Sequence, residues 1–151
     1  MFTVSLEPDY IQLEIPMLMI SSELYKTSVI SFHHCSTEVG VKTIDCPGIN
    51  DILLERESAT IVMQFPLRDP FTCIVRSKVG KISKKKIIDH IRTAYRQQYR
   101  MVRNANNEQS GIVVSHPLKN LFIDSVFYSK NTNTIVARID GIESIIDNYP
   151  F

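Results

Sequence analysis

Lys84, Lys85 and Lys86 stand inside a segment, Arg76 to Arg103, that holds ten of the seventeen Lys/Arg residues of this 151-residue chain and only one acid, Asp89. The segment carries net +9, whereas residues 1–75 carry −6 and residues 104–151 carry −2, so the total of +1 conceals a strongly polar molecule. Concentrated cations do one kind of chemistry unaided: they hold anions, as phosphates, carboxylates or an acidic protein surface. The three lysines also fall where a helix should begin. The positive end of the helix macrodipole favours Asp or Glu there, and each exposed lysine is unfavourable by roughly 0.3–1 kcal/mol. A bound anion converts that penalty into attraction, and a local rule broken without structural benefit tends to mark a functional position. A Phe71–Val75 strand, a Lys78-Val79-Gly80-Lys81 loop, a Ser83 cap and then a helix could bring backbone N–H groups and lysines together on a phosphate. The expected anion- or partner-binding residues are Lys78, Lys81, Lys84, Lys85, Lys86, Arg92, Arg96, Arg100 and Arg103.

Several ligands compete for such a surface. Nucleoside-triphosphate hydrolysis is not supported, because Ile82 follows Gly80-Lys81 where a Walker A motif needs Ser or Thr, and Val75 stands where its first Gly belongs. DNA or RNA phosphates fit better, since they require cations and helix termini but no metal or base catalyst. Tyr95 and Tyr99 could stack on bases, but their spacing with Ile88, Ile91 and Val102 assigns them to the core. An acidic protein, or a second copy of the chain offering Glu7, Asp9, Glu14, Glu55 and Glu57, is the third possibility; those acids could also neutralise the helix within the fold. Protein partnership is placed slightly ahead, because a dedicated nucleic-acid binder more often has a basic excess over the whole domain. Membrane association is not expected: the helix's apolar face is committed to the core, Trp is absent, and Ile15–Ile20 is far too short to span a bilayer.

Other constellations are weaker. His33-His34-Cys35 with Cys46 offers zinc-type donors, yet adjacent residues on a strand face opposite ways, so at most one of the histidines could join the cysteines. Cys73 with His90 or His116, and Asp124 with Asp140, are conceivable catalytic pairs that no local motif supports. No cofactor or metal is expected. Three cysteines without C-x-x-C spacing argue for a reducing compartment, and the acidic N-terminus is unlike a secretory signal, so an intracellular protein is expected. Asp147–Phe151 ends the chain in an aromatic pair that either folds back or docks elsewhere.

The elements that must position these residues follow from periodicity. Tyr10–Ile15 alternates as a half-buried strand ending at Pro16, Val29–Phe32 and Val39–Ile44 read as short strands, and Asn50 or Asp51 could cap a short helix through Arg56. Thr60–Phe65 and Phe71–Val75 are β-branched, aromatic runs flanking a Pro66–Pro70 turn. Ser83 caps one long helix over about 84–103, in which Ile88, Ile91, Tyr95, Tyr99 and Val102 recur at spacings of three and four. At 100° per residue, Lys85, Arg92, Arg96 and Arg103 fall within about 40° of one another beside that stripe. A polar loop over 104–111 leads to strands at Ile112–Val114, Leu121–Tyr128 and Thr134–Ile139, the last two joined as a C-terminal hairpin through Lys130–Asn133, with a short helix at Ile142–Ile146. The expected fold is α+β: a single domain over 1–151, a mainly antiparallel sheet of seven to nine short strands, and one long amphipathic basic helix packed on it. The composite expectation is a small non-enzymatic intracellular binding or assembly module that docks an acidic protein or another copy of itself. Its alternative is sequence-nonspecific binding of nucleic-acid phosphates.

Overall fold

The structure is a computed structural model that describes residues 9–21, 26–32, 39–105 and 108–143. It is α+β, as the sequence leads one to expect. Its sheet is built from β1 (Tyr10–Leu13), β2 (Leu18–Met19), β6 (Ser58–Met63), β7 (Phe71–Arg76), β9 (Leu121–Ser129) and β10 (Thr134–Gly141). β1 and β2 both pair with β9, at its two ends, and from there the order runs β9-β10-β6-β7. Every pairing is antiparallel except β10 with β6. That parallel pair is fastened at the hairpin tip, where Asn133, in the left-handed region at φ 51°, donates through Nδ2 to the Ser58 carbonyl at 2.7 Å and accepts from the Tyr128 hydroxyl at 2.8 Å.

Two smaller pairs complete the strands: β3 (Lys26–Phe32) with β4 (Val39–Asp45), and β5 (Ile52–Leu54) with β8 (Ile82–Ser83). The long helix α1 (Lys84–Ala105) follows β8 directly and packs against β7 at the end of the sheet order. It is followed by a short helix, α2 (Gln109–Ser115), and a 3₁₀ turn, Leu118–Asn120. Ile87, Ile88, Ile91, Tyr95, Tyr99 and Val102 of α1 are buried against Ile61 and Met63 of β6, Val75 of β7, and Ile123, Val126, Ile135 and Ala137 of the terminal hairpin. The 3.6-residue stripe on the helix thus meets period-2 faces on the strands, and apart from Lys84, Arg92 and Ala94, which are buried as well, the remaining α1 side chains lie at or near the surface.

Four sequence expectations change. Residues 52–54 form β5, not a helix capped by Asn50 or Asp51: β-branched Ile52 lies opposite Ser83, and Leu54 enters the core. Ile112–Val114 lies inside α2, not in a strand; its β-branched run is overridden by packing, with Val113 buried and Ser110 Oγ donating to the Val102 carbonyl of α1 at 3.2 Å. β1 ends at Leu13, because Ile15 N–H turns back onto the Leu13 carbonyl at 2.8 Å and Pro16 has no N–H to offer. The described residues contain ten strands, and β2, β5 and β8, at two or three residues each, are too short to register as a period. Of the helix expected at Ile142–Ile146, residues 144–146 lie outside the described residues, as do Glu7, His33, His34, Cys35 and Asp147–Phe151.

Candidate functional site

The start of α1 is clamped by the segment before β5. Lys84 N–H donates to the Asp51 carbonyl at 2.9 Å, Lys85 N–H to the Ile49 carbonyl at 2.8 Å, and Lys86 N–H to the Ser83 hydroxyl at 3.2 Å. Ser83 is therefore the cap that the sequence suggests, but three N–H groups that a phosphate would need already have protein acceptors. The preceding loop behaves alike. Ser77 is buried and accepts from Gly80 N–H through its carbonyl at 3.4 Å and from Lys81 N–H through its hydroxyl at 3.3 Å. The expected convergence of backbone N–H groups on a phosphate does not form here, because the chain's own carbonyls and hydroxyls fill those positions.

The nine expected cations divide into two sets. Lys84 and Arg92 are buried, at 5% and 3% exposure, and do not belong to the outer surface. Lys84 Nζ donates to the Pro47 carbonyl at 3.1 Å, and Arg92 Nη2 donates to the Met19 carbonyl at 3.1 Å. Both lie close to Cys46: burial raises its thiol pKa, and the charges of Lys84 and Arg92 act in the opposite direction. Lys84 also lines an open cavity of about 460 Å³ together with Gln12, Glu14, Pro16 and Pro47. This cavity lies between the kink that separates β1 from β2 and the Pro47-Gly48 turn, and neither wall carries a motif that the sequence could have announced.

The second set faces outwards. Lys78, Lys81, Arg100 and Arg103 are exposed, and Lys85, Lys86 and Arg96 are partly exposed along the outer side of α1. Lys85 pairs with Asp89, one turn on, at 2.9 Å. Among the described residues, Lys78, Lys81, Lys86, Arg96, Arg100 and Arg103 have no carboxylate at ion-pair distance, so the described acids Asp9, Glu14, Glu55 and Glu57 do not neutralise them in direct pairs. Two large apolar side chains stand among these cations: Val79 at 78% exposure and Met101 at 64%. Tyr95 and Tyr99 are turned inwards, their hydroxyls donating to the carbonyls of Phe65 and His116 at 2.7 Å each, so neither ring is available to stack on a base.

The catalytic pairings do not assemble into a reactive centre. Cys73 Sγ lies 4.0 Å from the His90 carbonyl, not its ring, and burial pushes the thiol up to about 11, so it stays protonated at neutral pH. His90 Nδ1 is engaged with the Lys86 carbonyl at 2.7 Å. Asp140 accepts from the N–H of Gly141 at 2.8 Å, and Asp124 accepts from Ser125 Oγ at 3.2 Å. Among the described residues, no three His, Cys, Asp or Glu side chains are grouped to hold a metal. No described helix is long and apolar enough to cross a membrane.

One polar cluster has no sequence signal. Glu143 accepts from Asn120 Nδ2 at 2.8 Å through Oε1, while its Oε2 and His116 Nδ1 are buried without a hydrogen-bond partner. These residues come from three separate stretches of chain and meet around Tyr99, whose hydroxyl pKa is raised by burial above all, lowered by Arg103 and raised by Glu143. Compared with known proteins, the chain matches no family, no curated protein and no solved structure.

Proposed function

We propose that this chain is a small non-enzymatic binding module that docks an acidic protein surface through the outer side of α1 and the loop between β7 and β8. The observation that carries this reading is the mixed composition of that surface. Lys78, Lys81, Lys86, Arg96, Arg100 and Arg103 have no ion-pair partner among the described residues, and exposed Val79 and Met101 lie between them. Arg and Met are enriched at protein interfaces, where an apolar anchor and a fixed guanidinium act together. A phosphate backbone, by contrast, uses cations and polar donors and gains nothing from an exposed valine. From Lys86 to Arg103 the helix rises about 25 Å, so the partner should present a comparable run of Asp and Glu.

The exposed Glu14, Glu55 and Glu57 make a second copy of this chain one such acidic surface. Cys46 and Cys73 are free thiols among the described residues, which supports a reducing, intracellular setting.

The test is fluorescence anisotropy with a labelled poly-glutamate peptide and a labelled DNA duplex at low and moderate salt, alongside light scattering of the protein alone. The wild type is compared with an Arg96→Glu/Arg100→Glu/Arg103→Glu variant. Salt-sensitive peptide binding that the variant loses is the expected result. A salt-dependent mass without any ligand assigns the surface to a second copy. Duplex binding tighter than peptide binding overturns the protein reading in favour of nucleic acid.

A further inference from the structure

Away from the outer side of α1, the cavity at the start of the helix contains a lysine whose position is hard to explain by stability alone. Lys84 is 5% exposed and occupies the first helical position, beside the positive end of the macrodipole. A buried ammonium is expensive unless it is paired. Among the described residues its partner is one neutral group, the Pro47 carbonyl at 3.1 Å, and no carboxylate pairs with it. An ammonium has three donors, so two of them are open to whatever occupies the cavity. The second cation, Arg92, is near enough to act on the same Cys46 thiol but is held to the Met19 carbonyl and is not part of the lining, so Lys84 is the cation the cavity presents.

The rest of the lining narrows the chemistry. Leu13, Ile15, Pro16 and Pro47 supply apolar walls, and Glu14 and Gln12 are the other polar side chains. A cavity of about 460 Å³ is the size of a small-molecule site. Glu14 sets a negative charge in the same space as Lys84. A dianionic phosphate would meet repulsion there, whereas a monocarboxylate that also carries a donor group satisfies both ends.

We infer that this cavity binds a small organic carboxylate bearing an amino or hydroxyl group, of the α-amino or α-hydroxy acid class, with its carboxylate on Lys84 Nζ and its donor group towards Glu14. The aliphatic part of such a ligand lies against Ile15, Pro16 and Pro47. The kink between β1 and β2 makes the site possible: it takes Glu14 and Pro16 out of the sheet edge and opens the space that Lys84 faces.

The test is an amide chemical-shift titration of the full chain with glycine, L-leucine, L-lactate, acetate, inorganic phosphate and a poly-glutamate peptide, each at up to about 10 mM for the small probes. Three proteins are compared: wild type, Lys84→Met and Glu14→Gln. Expected are saturable shifts at Gln12, Glu14, Ile15 and Lys84 with an amino or hydroxy acid, weakened about tenfold or more in Lys84→Met. Glu14→Gln, an exposed change that leaves the fold intact, weakens the amino acids and leaves acetate unchanged. The inference is overturned by a wild type that none of the small acids shifts, by phosphate binding tighter than every carboxylate, by binding that survives Lys84→Met, or by amino-acid binding indifferent to Glu14→Gln. If the peptide alone moves these resonances, the cavity is part of a protein-docking surface, and the small-ligand reading also fails.

Discussion

Arg92 Nη2 donates to the Met19 carbonyl at 3.1 Å, joining the middle of α1 to β2 across 73 residues of sequence. Arg96, one turn on, is a guanidinium of the same type on the same flank of the helix, yet it is only partly buried and has no ion-pair partner among the described residues. Two residues that a helical projection treats as equivalent therefore do different work: one is part of the packing between helix and sheet edge, the other is available to a partner. Arg92→Ala is expected to destabilise the fold by about 2–3 kcal/mol, through the lost charged hydrogen bond and the lost packing of its aliphatic stem. Arg96→Ala should change stability by no more than about 0.5 kcal/mol. Urea unfolding midpoints of the two variants check this, and equal effects would refute the division.

The turn that begins at Pro47-Gly48 leads into Ile49 and Asp51, whose carbonyls accept from the first N–H groups of α1, and Gly48 sits at φ +62°, where an added Cβ would also collide with the Asp51 carboxylate. Gly48→Ala should cost about 1–2 kcal/mol and speed hydrogen exchange at the Lys84 and Lys85 amides. Gly111 gives the opposite case. It lies within α2 and a Cβ there meets nothing within 4 Å, so Gly111→Ala is expected to stabilise by about 0.5–1 kcal/mol. Thermal unfolding of the pair should therefore move in opposite directions.

Legibility in the sequence followed the range of the interactions involved. The stripe of Ile88, Ile91, Tyr95, Tyr99 and Val102, the Ser83 cap and the hairpin tip at Lys130–Asn133 are set by residues a few positions apart, and each is visible as spacing. Segment 109–115 and segment 52–54 went the other way because contacts with α1 and with Ser83, respectively, outweighed local propensity. The site divides similarly. That cations concentrate between Arg76 and Arg103 is plain from composition, but which of them are buried depends on Pro47 and Met19, both more than thirty residues away. Periodicity cannot place Lys84 inside a cavity whose walls come from residues 12–16 and Pro47.

Tyr95 and Tyr99 present hydroxyls to the carbonyls of Phe65 and His116, and both rings are buried. Replacing either by Phe keeps the packing and leaves a carbonyl without its donor, at an expected cost of about 1–1.5 kcal/mol each. Neither substitution should alter binding to a peptide or a duplex. A Phe variant with unchanged stability and weakened duplex affinity would instead put these rings at a nucleic-acid surface. Denaturation and anisotropy on the same two proteins decide between the outcomes.

The half-buried Cys73 thiol and the buried Tyr95 and Tyr99 phenols are expected to lower stability at alkaline pH. Burial raises Cys73 from 9.0 to about 11, and it raises the hydroxyls of Tyr95 and Tyr99 above their ordinary value of 10.0. For these groups the unfolded chain releases its protons first, so above pH 9 the folded state binds more protons than the unfolded state, and stability must fall as pH rises. The Cys73 contribution is complete below pH 9 and lost by about pH 11, while the tyrosine contributions begin to fall near pH 10 and continue beyond. Urea midpoints measured from pH 7 to pH 11 should decline only in the upper part of that range. Cys73→Ala should flatten the decline between pH 9 and 11 and leave the tyrosine-dependent part in place. The same protonated thiol should react slowly with iodoacetamide at neutral pH, and rapid alkylation of Cys73 in the folded protein would show that it is not shielded as the structure describes.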